Sequence, residues 1–381
     1  MILWPHTVVA QEEADAVSQE VLDEFAVLYG GQIQEGVQQL EGAGIDALIP
    51  NFQADQILRQ LTAGQLDLSI SGILNSGLHL LLGEVYRSLK ILALVLALSV
   101  LCSYLTNLRS SFGKDGVEQI AFFACYILIA GIATAAFYDI AGCAKTAIDN
   151  IALFMRLIVP LMLTALVTGG AVISASVFEP VLLTVIEIAV TVIINVFLPL
   201  VMVGTAMNIV NSLSDRFKSE KLAKLLNQTV KWGLSCLLII FVGVVGFQSI
   251  AAGGADGLSV KLTKFATSNL IPVVGGILAE SVETVMNCSV VIKNSVGLLG
   301  ILVVALIAVT PLLKIAATLL IFRITAAIAE PVSDPKIVKC LSHLADSVSV
   351  IFSMLAAVSV MFIIVLTIVV NAGNSAIMLG R

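Results

Sequence analysis

The chain is 381 residues long, with 59% hydrophobic residues, 12% charged residues and a mean hydropathy of +1.04. A soluble domain of this length could not bury so much apolar surface, which excludes the soluble and disordered classes. The net charge of −6 is uneven, because residues 11–90 contain 12 of the 26 acidic residues and three basic ones. This acidity argues against binding to nucleic acid or to an anionic membrane surface.

The first ten residues form a short apolar stretch that ends in Val8-Val9-Ala10 and is followed directly by Gln11-Glu12-Glu13. Small residues at such a boundary are typical of the end of a secretory signal peptide, so we interpret residues 1–10 as its remnant. The basic part of a signal peptide is missing, and an apolar terminus without a targeting role is the alternative. On the signal interpretation, residues 11–90 are extracytoplasmic.

Residues 11–90 read as an acidic head of short amphipathic helices. Apolar residues recur at spacings of three and four from Val17 to Tyr29, and Pro50-Asn51 marks a break before a second patterned stretch. The head is too small for a large core of its own. We therefore expect it to pack on a partner or on the rest of the chain.

From Ile91 onwards the sequence is apolar in pieces of about 20 residues, the length that spans a hydrocarbon core. The sequence therefore predicts an all-α, polytopic membrane protein with a multi-pass domain over 91–381 and about six or seven transmembrane helices. The predicted helices lie near 91–108, 119–138, 151–172, 181–207, 232–251, 296–322 and 347–370.

Residues 252–295 are apolar but interrupted, first by glycines and then by Pro272, Gly275 and Gly276. We interpret them as a re-entrant or interfacial hairpin, since irregular backbone at membrane depth must be covered by protein or water. The bend needs close backbone approach, which predicts that Gly275→Leu disrupts assembly.

Basic residues cluster in loops 208–231 and 323–345, which the positive-inside rule places in the cytoplasm. An extracytoplasmic head followed by four full crossings would put loop 208–231 on the other side. One of the first four segments is therefore a candidate for a re-entrant segment. Pro160 and Gly169-Gly170 point to 151–172.

The chain contains one candidate internal repeat. Pro160 and Glu179-Pro180 recur as Pro311 and Glu330-Pro331, with the same gap between the prolines. Two copies in opposite orientation would be an inverted repeat, as in secondary transporters. Chance and the ordinary use of proline at helix ends are the alternatives.

Polar residues at membrane depth are energetically unfavourable, so each one is a candidate functional site. Arg156, Glu187, Asn195 and Lys314 lie inside predicted membrane helices. Arg156 and Glu187 could form a buried pair in a pore or a proton path. In the alternative, Arg156 and Lys314 reach an interface with their long side chains, and Glu187 holds helices together.

Glu280, Glu283 and Lys293 follow the Pro-Gly-Gly bend at helical spacing, which is typical of an amphipathic surface helix. The chain has no phosphate-binding loop, no zinc-protease motif and no nucleophile elbow, and its three histidines and six cysteines are dispersed. We therefore expect no enzyme activity, no metal site and no cofactor.

Three stretches carry a resemblance to a known family: SNLIPVVGGIL at 268–278, ESVETV at 280–285 and IKNSVG at 292–297. They resemble the stage III sporulation protein AE family of endospore-forming bacteria. The resemblance extends along nearly the whole chain and includes the acidic head, Glu330-Pro331 and the final apolar helix.

The resemblance implies a membrane subunit of the channel or feeding-tube complex that links mother cell and forespore. The implied partners are the other stage III sporulation A-operon proteins and the forespore protein Q. The operon proteins are the AA ATPase, AB, AC, AD, AF, AG and AH. The leading hypothesis is thus a non-enzymatic subunit in the mother-cell membrane around the forespore. A stand-alone secondary transporter built on the repeat is the alternative.

Overall fold

The computed structural model describes residues 22, 24–40, 44–49, 52–64, 70–107, 115–169, 171–213, 220–270 and 275–380. Within these ranges the chain forms helices and no strands, which confirms the all-α prediction. The head contains α1 (24–38), α2 (Ile45–Leu48) and α3 (Ala54–Thr62). The remaining elements are α4 (Ile70–Asn107), α5 (Asp115–Thr168), α6 (Val172–Val192), a π-helix (Ile193–Phe197), α7 (Leu198–Leu213), α8 (Glu220–Leu270), α9 (Gly275–Ala329) and α10 (Pro335–Gly380).

Five helical stretches among the described residues are long and apolar enough to cross a membrane. They are Phe123–Thr168, Ser174–Ser212, Glu220–Gln248, Cys288–Ala329 and Pro335–Ala372. A shorter apolar stretch, Leu92–Cys102, lies on α4 where the sequence predicts the first membrane helix. The chain is therefore a multi-pass membrane protein.

The predicted segments 119–138 and 151–172 lie on a single helix rather than on two. Helix α5 has 54 residues, which corresponds to about 81 Å at 1.5 Å per residue. A continuous helix crosses one bilayer once, so the two segments cannot each be a separate crossing. Segment 151–172 is accordingly the end of a long helix in this structure, since α5 ends at Thr168 and α6 begins at Val172.

Helix α10 lies at the centre of the bundle and packs against α5, α7, α8 and α9. One consequence is a close contact at Gly297 on α9. A Cβ atom on this glycine would lie 2.2 Å from Cγ2 of Val370 on α10 and 2.8 Å from Cε of Met162 on α5. Three helices therefore meet at a position where the missing side chain lets them approach.

The turn between α9 and α10 follows from its sequence. Asp334 precedes Pro335, and its Oδ1 atom accepts a hydrogen bond of 2.8 Å from the backbone N–H of Lys336. An acidic residue before the first helical position caps the free N–H groups, and proline suits that first position. This chemistry ends α9 and starts α10 within a few residues.

The two basic loops lie at the same end of the bundle. Helix α8 begins at Glu220, which is close enough to Lys339 and His343 on α10 for their charges to interact. At this end Arg323 also contacts Asp346, with Nη2 and Oδ1 3.5 Å apart. We call this the basic end.

The head is held together by a glutamine between its helices. Gln34 on α1 donates a hydrogen bond of 3.3 Å from Nε2 to the carbonyl of Phe52, and its Oε1 accepts one of 3.0 Å from the N–H of Ala54. The amide thereby satisfies a free donor at the start of α3. Tyr29 is buried beneath these helices, and this burial raises its pKa.

The head packs against the membrane body. A Cβ atom on Gly36 of α1 would lie 2.7 Å from Leu157 on α5. Gly44 has a φ angle of +67°, and its carbonyl accepts a 3.5 Å hydrogen bond from Thr310 on α9. The head therefore lies along the side of the bundle and covers part of α5 and α9.

Candidate functional site

The structure brings Arg156 and Glu187 together as an ion pair between α5 and α6. The Nη2 atom of Arg156 and the Oε2 atom of Glu187 are 2.5 Å apart. Helix α5 ends at Thr168 and α6 begins at Val172, and the two helices run antiparallel, which places these residues opposite each other. The side chains are 49% and 57% exposed. The pair that the sequence suggested therefore forms, but it lies on the outer surface of the bundle and not in its interior.

A groove with polar and apolar lining adjoins this ion pair where the head meets α5. The groove has a volume of about 320 Å³ and is lined from the head by Gln32, Glu35 and Gln39. From α5 it is lined by Arg156 and Thr164, together with Gly36 of the head and apolar residues. Sequence reading missed the head residues, because nothing in the sequence placed α1 next to α5.

Asn195 lies in the π-helix and is exposed. Short π-helices inside α-helices occur frequently at functional sites. Thr184, Glu187 and Thr191 precede Asn195 at spacings of three and four residues and are also exposed. These residues form a polar stripe along one outer face of an otherwise apolar helix.

Lys314 pairs with a residue that the sequence analysis did not single out. Its Nζ atom lies 3.0 Å from Oδ2 of Asp139 on α5, and Glu84 on α4 is close enough to interact. Asp139 directly follows the predicted segment 119–138, so a search for acidic residues at segment ends would have found it. The Lys314 side chain is 31% exposed and that of Asp139 is 68% exposed. This second pair links α5 to α9.

Lys293 is buried, with 1% of its surface exposed. This differs from the amphipathic surface helix that the sequence pattern predicts, because Lys293 lies one turn from Gly297, where α5, α9 and α10 meet. Pro272 lies outside the described residues. For Gly275, Gly276, Glu280 and Glu283 the structure describes the helical backbone alone, with Leu270 ending α8 and Gly275 starting α9.

The two copies of the candidate internal repeat have different local structures. Pro160 lies in α5, which ends at Thr168, so that Glu179-Pro180 lies inside α6. Pro311 lies in α9, which continues to Ala329, so that Glu330-Pro331 forms the turn before α10. The candidate internal repeat in the sequence therefore does not correspond to a structural repeat at these positions.

Among the described residues, no group of three or more histidine, cysteine or acidic side chains could hold a metal ion. The six cysteines are all free thiols. The polar groups that the structure assembles are ion pairs and a hydroxyl and amide stripe on membrane helices. Such groups can hold helices together, bind polar solutes or line a path for water.

Comparison with known proteins identifies the family. The profile of the family described as stage III sporulation protein AE matches residues 52–373. The chain is similar to stage III sporulation protein AE of Bacillus subtilis (strain 168), with 30% identity over 332 residues that cover 87% of this chain and 83% of the relative. No solved structure matches this chain. With a match over most of its length, this chain belongs to the stage III sporulation protein AE family.

Proposed function

We propose that this chain is a non-enzymatic integral membrane subunit of the sporulation channel complex that links mother cell and forespore. It would be needed for forespore development after engulfment. The observation that carries the proposal is the family match over residues 52–373, on a chain whose described residues include five membrane-length helices. The proposed partners are the A-operon proteins and the forespore protein Q.

The distribution of exposed apolar residues supports a subunit of a larger assembly. On α9, Val291 and Leu298 are exposed towards one end of the apolar stretch Cys288–Ala329, and Ile324 and Ile328 are exposed towards its other end. Val291 and Ile328 are about 55 Å apart along a helix that rises 1.5 Å per residue. A hydrocarbon core of about 30 Å cannot cover both ends, even for a helix tilted by about 40°. Exposed apolar surface outside the bilayer is expected to be covered by other proteins.

The apolar surface extends into the basic end. Leu222 and Leu225 on α8 are exposed and precede Lys231 and Trp232, which are also exposed. Lysine and tryptophan are typical of a membrane boundary, so these leucines lie on the far side of that boundary from the apolar stretch of α8. We propose that partner proteins cover the basic end.

The long helix α5 supports a topology for the chain. If α4, α5 and the α6–α7 segment each cross once, an extracytoplasmic head leads to a cytoplasmic loop at 214–219. Two further crossings by α8 and α9 put the turn at 330–334 on the same side. Both basic loops are then cytoplasmic, as the positive-inside rule requires. We therefore propose that the N-terminal region is extracytoplasmic and that the chain lies in the mother-cell membrane around the forespore.

Deletion in a spore-forming host tests the function. The strain without this chain should complete engulfment and then stop forespore development, and a copy of the wild-type chain should restore spores. Fluorescence microscopy of stained membranes separates a defect in engulfment from a later one. Normal spore counts in the deletion strain would contradict the proposal, and so would arrest before engulfment is complete.

A further inference from the structure

We propose that the outer face of α5, α6 and the π-helix lines a water-filled groove at membrane depth, open to small hydrophilic solutes and not to lipid. The face consists of Arg156 and Thr164 on α5 and of Thr184, Glu187, Thr191 and Asn195 on α6 and the π-helix. We call it the polar face. The inference goes beyond complex membership and needs only the membrane location of the bundle.

The depth of the polar face can be read from its neighbour α8. A Cβ atom on Gly233 of α8 would lie 2.7 Å from Cζ of Phe197, and Nε2 of Gln248 donates a 2.7 Å hydrogen bond to the carbonyl of Val177. The two contacts place residues 177–197 alongside residues 233–248 in antiparallel orientation. Thr184, Glu187, Thr191 and Asn195 therefore lie at the level of the α8 stretch between Gly233 and Gln248.

That stretch of α8 has the properties of a lipid-facing helix. Residues 233–247 contain no charged residue. Ile239, Ile240 and Phe247 are 68%, 63% and 77% exposed. At the same depth, the polar face exposes an ion pair, three threonines and an asparagine. Charged groups in contact with hydrocarbon are so unfavourable that such residues face protein or water.

Water fits the polar face better than a protein surface does. The ion pair is about half exposed, and a covering apolar helix would remove its hydration without providing new hydrogen bonds. The groove under the head also reaches Arg156 and is lined by Gln32, Glu35 and Gln39. On the proposed topology, α1 therefore brings further polar groups from the extracytoplasmic side to the depth of the polar face. The volume of the groove under the head, about 320 Å³, is within the range of pockets that hold small molecules.

Two exposed apolar residues lie beside the polar face and can serve as controls. Ile188 and Val196 are 54% and 47% exposed and follow Glu187 and Asn195 directly. Successive residues of a helix point about a quarter of a turn apart, so these two side chains lie at the same depth beside the polar face. They would contact lipid while their polar neighbours contact water.

Cysteine accessibility tests this inference on the full chain in membranes of sporulating cells. Cys236, which is exposed, is first replaced by alanine. Thr191→Cys and Asn195→Cys are then compared with the controls Ile188→Cys and Val196→Cys, using a charged methanethiosulfonate reagent that does not cross membranes. We expect the two polar-face cysteines to react at least about tenfold faster than the controls, since thiols react as thiolates in water.

Three results would overturn the inference. Slow reaction at all four positions would mean that lipid or protein covers the polar face, and oxidative crosslinking between copies at Thr191→Cys would identify a second copy as the cover. Equally fast reaction at all four positions would place the segment outside the membrane. Two polar positions are tested so that a folding defect in one variant leaves the other informative, and Thr184→Cys is a further replacement. None of these results depends on complex membership.

Discussion

The contact at Gly297 allows a prediction about bundle packing that can be tested quantitatively. In Gly297→Ala the new Cβ would lie 2.2 Å from Cγ2 of Val370 and 2.8 Å from Cε of Met162. Carbon atoms in normal contact are about 3.5–4.0 Å apart, so the valine methyl must retreat by about 1.3 Å or more. Met162 is flexible and can adjust, but the β-branched Val370 is stiff.

We expect Gly297→Ala to lower the free energy of unfolding by about 1–3 kcal/mol, the usual cost of overpacking a close contact. The measurement is unfolding by sodium dodecyl sulfate in mixed micelles. Gly243→Ala on α8 is the matched control, because nothing lies within 4 Å of a Cβ at that position. The control should be neutral or slightly stabilising, by up to about 1 kcal/mol, since alanine favours helix more than glycine does.

A second substitution completes the test. Val370→Ala removes the methyl group that the new Cβ would strike, so the double variant should be more stable than the sum of the two single effects predicts. Equal stability of Gly297→Ala and the Gly243→Ala control would refute the packing described here. Simple additivity in the double variant would refute the role of Val370.

Three further predictions concern function and the head. Arg156→Met and Glu187→Gln should each lower spore yield far more than Glu41→Gln does, because they break the ion pair on the polar face; near-normal yields in both would remove the pair from consideration. Gly36→Leu should loosen the head from α5, because a Cβ at this position would lie 2.7 Å from Leu157. Proteases should then cleave the head about tenfold faster if the docking free energy of the head falls by about 1.4 kcal/mol. Gly31→Leu, on the same helix with nothing within 4 Å, is the control, and equal rates for the two variants would contradict head docking. Gly275→Leu should reduce recovery of the assembled complex, and undiminished recovery would count against the Pro-Gly-Gly bend.

The sequence predicted the helical class and a multi-pass membrane protein, because long apolar runs are a direct consequence of lipid as solvent. It did not predict that 119–138 and 151–172 share one helix. The residues between them include Asp139, Lys145 and Asp149, which end the apolar run without ending the helix. Hydropathy indicates whether a segment is surrounded by lipid or by water, and it does not show where a helix ends. Charged residues such as lysine are good helix formers, so a helix can continue through them.

The sequence also suggested the partners Arg156 and Glu187, since charges at membrane depth seek each other. It could not show that the pair faces outwards, because that depends on the rotation of α5 and α6 in the bundle. For the same reason it missed Asp139 as the partner of Lys314 and the contribution of the head to the groove. These features arise from contacts between residues that are far apart in the chain.

Affinity purification tests whether this chain works as a subunit of a larger assembly. A tagged copy would be isolated from sporulating cells in mild detergent, with mass spectrometry of the proteins that accompany it and an unrelated tagged multi-pass protein as the control. We expect specific recovery of the sporulation ATPase and the ring-forming A-operon proteins. Recovery of this chain alone, or only with further copies of itself, would contradict the account and favour a stand-alone transporter.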